Sequence, residues 1–310
     1  MKSIQPNILG KEFDCINKII KKLPTHNIGD DCAVLEFGGE NLLVSVDTFS
    51  DKVHFDTKSF SLKEIGERCS EAAISDIAAM GGKPLYITIS LAVPNNKIIS
   101  GLTDGIKKSV NRHKVLIVGG DTTYSKILSI SITVLGICND PTYRHGARPG
   151  DTVYITGYTG LSAAGLYALK KNLKGSKTLK KKHKKPTARI KQGQALAKQA
   201  TAMIDISDGL ASELYHIAFQ SKVNIEITKI PIHPILKIFC KEQKLDPKIF
   251  VLYGGEDYEL LLTGAKTKLS TTQGLIEIGK VTGKSKKAQV YIKHKNKSVL
   301  LDPQKGFKHF

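Results

Sequence analysis

Asp205 and Asp208 stand three positions apart in Ala202-Met203-Ile204-Asp205-Ile206-Ser207-Asp208-Gly209-Leu210, at the end of an apolar run and just before a helical pattern. Carboxylate oxygens are hard ligands that suit Mg²⁺, and the unpaired N–H groups of a strand-to-helix turn attract phosphate. Carboxylates in such a turn repel phosphate unless a divalent cation lies between them, so the pair reads as a Mg²⁺ site for a polyphosphate. The same acids also fit a plainer role, with Asp208 closing the helix as Ser207 can and Asp205 meeting a nearby lysine. Repetition favours the metal. Asp30-Asp31 follow Ile28-Gly29, Asp47 ends the run 42–46, Asp121 follows 115–120, and Glu256-Asp257 follow 251–255. Four apolar runs thus deliver acids in a chain with only 28 acidic against 47 basic residues, and ligand sites form where strand ends converge.

The elements that must hold these acids are legible in the apolar spacing. Leu210, Leu214, Ile217 and Ala218 form one face of a helix after the Asp205 turn. A helix is expected over 12–22, and a glycine turn feeds a strand at 28–35. The chain breaks at Gly38-Gly39 before a strand at 42–47. Ser61, with Glu64 three residues on, opens a helix over 61–80. Asp76 falls near the end of that helix, where the dipole disfavours an acid and a cation would relieve it. His54 sits in the polar loop after Asp47, alone and without a spacing that assigns it a role.

Further strands are expected at 85–93, 115–118, 128–138, 152–156, 223–230 and 259–263, with helices at 95–112 and 188–200. Glycines 157, 160 and 165 enter another helix, where they could cradle an anion or simply allow close packing. Gly274 to Val281 nearly spells a phosphate loop but ends in valine where a hydroxyl must meet Mg²⁺, and its alternation reads as a strand. The interspersed elements give an α/β (α+β) class. The turn around Asp140-Pro141 divides the chain into an N-terminal domain, 1–140, and a C-terminal domain, 141–310.

Composition narrows the function classes. At 310 residues, 41% of them hydrophobic, the chain can build two cores. No secretory leader follows Met1-Lys2-Ser3 and no run reaches the length of a membrane span. Five scattered cysteines without a CxxC pair point to reduced thiols, a cytoplasmic protein and no zinc. Much of the net charge of +19 is local. Residues 170–185 hold nine lysines and almost no apolar spacing, which predicts a solvated, mobile loop. No aromatic residues interleave those lysines, so a nucleic-acid role is not favoured.

Six stretches taken together resemble the thiamine-monophosphate kinases, of the aminoimidazole-ribonucleotide synthetase superfamily. They are Gly29-Asp30-Asp31-Cys32-Ala33; Ser45-Val46-Asp47-Thr48 with His54-Phe55; Ser75-Asp76-Ile77-Ala78-Ala79-Met80-Gly81; Gly119-Gly120-Asp121-Thr122-Thr123; Met203 to Leu210; and Gly254-Gly255-Glu256-Asp257-Tyr258-Glu259-Leu260.

The resemblance implies a two-domain synthetase-like fold whose N-terminal domain forms a homodimer. It implies ATP-dependent phosphorylation of thiamine monophosphate to thiamine diphosphate, by direct transfer with no catalytic side chain in the chemical step. Several Mg²⁺ ions would be held by Asp30 and Asp31, either or both, Ser45, the backbone of Val46, Asp47, Asp76, Asp121, Asp205 and Asp208. ATP would meet Gly120, Asp121, Arg144 and Ser207, and thiamine phosphate would meet His54, Glu256 and Phe307. Two departures stand out: the lysine run is heavy, and Val46 replaces a frequent threonine, harmless if that position ligates through its carbonyl. The rival readings are another ATP-using superfamily member, of the aminoimidazole-ribonucleotide or selenophosphate synthetase type, and a basic nucleic-acid-binding protein. A selenophosphate synthetase needs a reactive cysteine by the first glycine loop, for which Cys15 and Cys32 are poorly placed; a hydrogenase maturation factor would end in cysteine, and this chain ends in Phe310.

Overall fold

The computed structural model describes residues 11–25, 28–270, 272–294 and 297–306. The chain forms two compact units, one of Asp31–Pro141 with Gly165–Lys198, the other of Met1–Asp30, Thr142–Ala164 and Gln199–Phe310. They are called the N-terminal and C-terminal units below.

Helix α1 (Lys11–Lys22) comes first, where the apolar spacing puts it. In the N-terminal unit, β1 (Ala33–Phe37) and β2 (Glu40–Ser50) form a hairpin that turns at Gly38-Gly39. Helix α2 (Leu62–Ala79), β3 (Lys83–Val93), α3 (Ile99–His113), β4 (Leu116–Tyr124) and β5 (Ser129–Ile137) follow. The sheet order is β1-β2-β5-β3-β4, antiparallel except for β3 with β4. Strand β5 alternates strictly, sending Ile130, Ile132 and Val134 into the core and hydroxyl side chains to the other face.

Helix α2 is buried along nearly its whole length. Its start is the expected capping box: Glu64 N donates to Ser61 Oγ at 3.2 Å, and Ser61 N donates to Glu64 Oε2 at 3.0 Å. Midway, Glu67 and Glu71 face α3. Glu67 takes Lys108 at 2.7 Å and Arg112 at 2.8 Å. Glu71, wholly buried, takes Arg112, His113 Nε2 at 2.9 Å, Ser109 Oγ at 2.8 Å and the amide of Ala188 at 2.8 Å. A buried carboxylate is tolerated only when so fully satisfied.

Three expectations change here. Strand β4 runs straight through Gly119-Gly120-Asp121 instead of stopping before it. Gly120 makes this possible, since a Cβ there would lie 2.0 Å from the Ile89 carbonyl oxygen of the neighbouring strand. The helix expected over 95–112 divides into a short 3₁₀ turn, Asn96–Ile98, and α3. The lysine-rich stretch is not a bare loop. After α4 (Leu161–Lys170) it folds as α5 (Lys177–Lys184), with Leu179 and His183 buried, before α6 (Ile190–Ala197). Two inward positions four residues apart anchor a helix that composition alone reads as solvated.

The C-terminal unit is built on a seven-stranded sheet. Its strands are β6 (Thr152–Ile155), β7 (Ala202–Asp205), β8 (Val223–Ile227), β9 (Leu260–Gly264), β10 (Ile276–Lys284), β11 (Val290–His294) and β12 (Lys297–Leu300). The order is β12-β11-β8-β10-β6-β9-β7, with β6, β7 and β9 buried throughout. The near phosphate loop 274–281 is mostly β10, as its alternation says. Helix α7 (Leu210–Ser221) follows β7 and is almost entirely buried. Helices α8 (Pro234–Gln243) and α9 (Pro247–Tyr253) precede the Gly254-Gly255 turn. The apolar run 251–253 therefore ends a helix. Asp246 caps that helix with Pro247 in its first turn, the signal that the run's apolarity masks. Among the described residues no helix is long and apolar enough to cross a membrane.

Candidate active site

Asp31, Asp47 and Asp76 of the N-terminal unit gather around β2 and the last turn of α2, while Asp121 stands apart on β4. The hairpin register pairs Ala33 with Val44, so the turn just before β1 brings Asp31 beside Ser45 and Val46. Ser45 and Asp47 alternate onto one face of β2, and Val46 shows its side chain, 64% exposed, on the other. Ser45 Oγ donates a hydrogen bond to Asp76 Oδ2. Asp31, buried, and Asp76 offer carboxylate oxygens within 4.8 Å of each other. Two carboxylates and a hydroxyl this close are a hard-oxygen donor set of the kind Mg²⁺ takes. Asp121 lies in β4 opposite Ser90, on an exposed stretch of strand. Beside it a hollow of about 380 Å³ is lined by Ile89, Leu91, Ile106, Gly120 and Asp121.

His54 folds back on its own loop. Ser50 N donates to its Nδ1 at 3.1 Å, and its ring stands edge-on to Phe49 at 5.6 Å. An accepting Nδ1 leaves Nε2 as the nitrogen that carries the proton of the neutral ring.

In the C-terminal unit the two motifs read as separate in sequence meet backbone to backbone. Asp205 ends β7 opposite Leu260, and beyond it Glu256 N donates to Ser207 O at 2.6 Å and Tyr258 N to Ile206 O at 2.9 Å. Gly255 lets the strands close, because a Cβ there would sit 2.3 Å from the Ser207 carbonyl oxygen. Ser207, Asp208 and Glu256 are thereby brought into one turn pair. Glu256 (φ 64°) and Tyr258 (φ 51°) hold left-handed backbone, unusual for residues with side chains and concentrated at binding turns.

Helix α7 carries a polar seam that the apolar spacing hides. Glu213, His216 and Gln220 recur at i, i+3 and i+7 on a buried helix. Glu213 Oε1 accepts from Asp208 N at 3.0 Å. Burial first, then the charges of Asp208 and Asp205 against the opposing charge of Arg144, hold the Glu213 carboxyl well above its usual range. Burial, with the Arg144 charge, pushes His216 down to about 3, so its ring is neutral. Gln220 Nε2 donates to Gly29 O at 2.6 Å, and Ser221 Oγ accepts from the amides of Gly146 and Ala147, both at 3.1 Å. Asp30 Oδ1 accepts from Arg144 N at 2.6 Å. One helix thus fixes both the Gly-Asp turn and the Arg144 loop. Sequence reasoning passed over Glu213 and His216, although a charged residue three positions after Leu210 on an apolar helix was the available sign.

The glycine loop at 157–160 does hold an anion at the start of α4, and the anion is the protein's own. Asp257 accepts from Gly160 N at 2.6 Å and from Ser162 N at 3.0 Å. Phe307, expected against the substrate, lies outside the described residues.

Residues 29–138 match the family model for the N-terminal domain of AIR synthase related proteins, and residues 148–291 match the model for the C-terminal domain. The thiamine-monophosphate kinase of Aquifex aeolicus is 34% identical over 96% of this chain and 98% of its own length. That of Bacillus subtilis is 35% identical over 96% and 99%. The solved structure of AaThiL complexed with AMPPCP and TMP superposes with a TM-score of 0.84 at 32% identity, covering 97% of this chain and 99% of that one.

Proposed function

The chain belongs to the thiamine-monophosphate kinase family, and from that premise we propose that it transfers the γ-phosphoryl group of ATP to the phosphate of thiamine monophosphate, giving thiamine diphosphate and ADP. The observation that carries this reading is the near full-length likeness to AaThiL complexed with AMPPCP and TMP, which pairs an ATP analogue with the acceptor.

Asp31, Ser45, Asp47, Asp76 and Asp121 of one unit, with the Val46 carbonyl, and Asp205 and Asp208 of the other hold Mg²⁺ in this reading. The hard-oxygen set of Asp31, Asp76 and Ser45 supports it. Asp30, a further candidate ligand beside Asp31, also accepts from the Arg144 amide and so positions that loop. Mg²⁺, when bound, neutralises and aligns two polyanions that otherwise repel. Gly120 and Asp121, beside the 380 Å³ hollow, take the nucleotide together with Arg144 and Ser207. His54, Glu256 and Phe307 take thiamine phosphate. The acceptor oxygen is ionised before transfer, so no side chain is needed as a general base, and the protein's task is placement.

Incubation with ATP, Mg²⁺ and thiamine monophosphate is expected to yield thiamine diphosphate and ADP in equal amounts. ADP without thiamine diphosphate, or no turnover, would refute the assignment.

The active form in this reading is a homodimer joined through N-terminal units. Strand β4 supports it: it is a sheet edge with one side unpaired, and Leu116, Val118 and Tyr124 are 64%, 57% and 73% exposed. An apolar open edge of this kind calls for a partner. Light scattering is expected to give twice the 33.9 kDa chain mass, and the double substitution Leu116→Lys/Val118→Lys is expected to give single chains; a monomeric unsubstituted protein would overturn the dimer. The cytoplasm fits as its compartment, since no disulfide joins its cysteines among the described residues.

A further inference from the structure

Helix α5 carries Lys177, Lys180, Lys181 and Lys184 at i, i+3, i+4 and i+7, one face of a helix, while Leu179 and His183 are buried on the opposite side. With Lys174 and Lys185 from the flanking turns, these lysines line a cavity of about 590 Å³ over the half-buried side chains of Leu169 and Leu173. The lining contains one acid, Glu64, already engaged by Lys184 at 3.0 Å and by the capping box of α2. Lys180 is spent on the Leu173 carbonyl oxygen at 2.6 Å. Among the described residues no carboxylate pairs with Lys174, Lys177, Lys181 or Lys185.

Like charges three and four residues apart weaken a helix, and crowding them around a concavity adds to the repulsion. A multiply charged anion seated in the hollow reverses both effects. The size of the cavity suits a compact ligand, and no aromatic ring lines it for bases to stack on, as a nucleic-acid strand requires. We propose that this pocket is an anion site, separate from the kinase residues, that binds a short chain of linked phosphoryl groups, free or at the end of a nucleotide.

Titrating the full-length protein with inorganic tripolyphosphate in EDTA, which silences Mg²⁺-dependent binding, is expected to show one saturable site that weakens as salt is raised. Lys177→Glu/Lys181→Glu, and the milder Lys177→Gln/Lys181→Gln, are expected to weaken it by about tenfold or more, since two charge-assisted contacts are lost, while kinase turnover stays unchanged. A GTP arm separates the sources: competition assigns the nucleotide-borne chain as well, and its failure assigns the free chain alone. Absence of saturable binding, undiminished binding in both variants, an equal loss in the control Lys286→Glu/Lys287→Glu, whose lysines do not line the cavity, or binding of a single-stranded oligonucleotide only would each overturn the proposal. Loss of kinase turnover with tripolyphosphate binding intact would instead strike only at the proposed reaction.

Discussion

Asp205→Asn is expected to lower thiamine diphosphate formation by roughly 10²–10³-fold or more, the scale set by removing one preorganised charge contact from a phosphoryl-transfer site. The substitution keeps shape and volume. Asp205 is buried at the end of β7 and its backbone pairs with Leu260, so the strand has no reason to move. The midpoint of thermal unfolding should therefore stay close to that of the unsubstituted chain, and the loss should lie in turnover. Asp121→Asn, on an exposed strand, is expected to behave the same way with still less structural risk. Raising Mg²⁺ should recover part of the activity if a weakened ion site is the cause. Turnover within a few-fold of normal in both variants would sink the metal assignment.

Glu71→Ala should be the most damaging substitution for stability, at about 3–5 kcal/mol, the usual cost of breaking a buried charge network by deleting one partner. It would leave the Ala188 amide without its acceptor and loosen Arg112 and His113 on α3. Burial alone would raise the Glu71 carboxyl, but the His113 bond, the Ala188 amide and the Ser109 hydroxyl together hold it below its usual value of 4.5. A depressed folded value means that this group adds stability above about pH 4.5 and loses it as the pH falls through the lowered value. Urea unfolding at neutral pH and again below pH 4.5 should show the unsubstituted chain losing more stability than Glu71→Gln, which has no carboxylate to protonate. Equal losses would show that Glu71 does not set the acid limit.

The candidate acids were readable before any fold was known, and the reason is chemical. Acids after apolar runs and glycine turns stand out in a basic chain, so Asp31, Asp47, Asp121 and Asp205 drew notice, and the fold brings the carboxylates of Asp31 and Asp76 within 4.8 Å of each other. The strand and helix framework followed from spacing, and Ser61 with Glu64 marked the start of α2 to the residue. What escaped was whatever depended on partners distant in sequence. Nothing local shows that Asp257 would reach Gly160, or that Gln220 would hold Gly29. The lysine stretch misled for the opposite reason: its charge was plain, but the two inward positions, Leu179 and His183, count for little in a composition and much in a fold.

Asp257 occupying the start of α4 has a practical consequence for anyone seeking inhibitors. A tethered carboxylate competes with any incoming group at the high local concentration that covalent attachment confers. Compounds designed to dock an acidic head into the loop at 157–160 would have to evict it, so their potency has to come from contacts elsewhere.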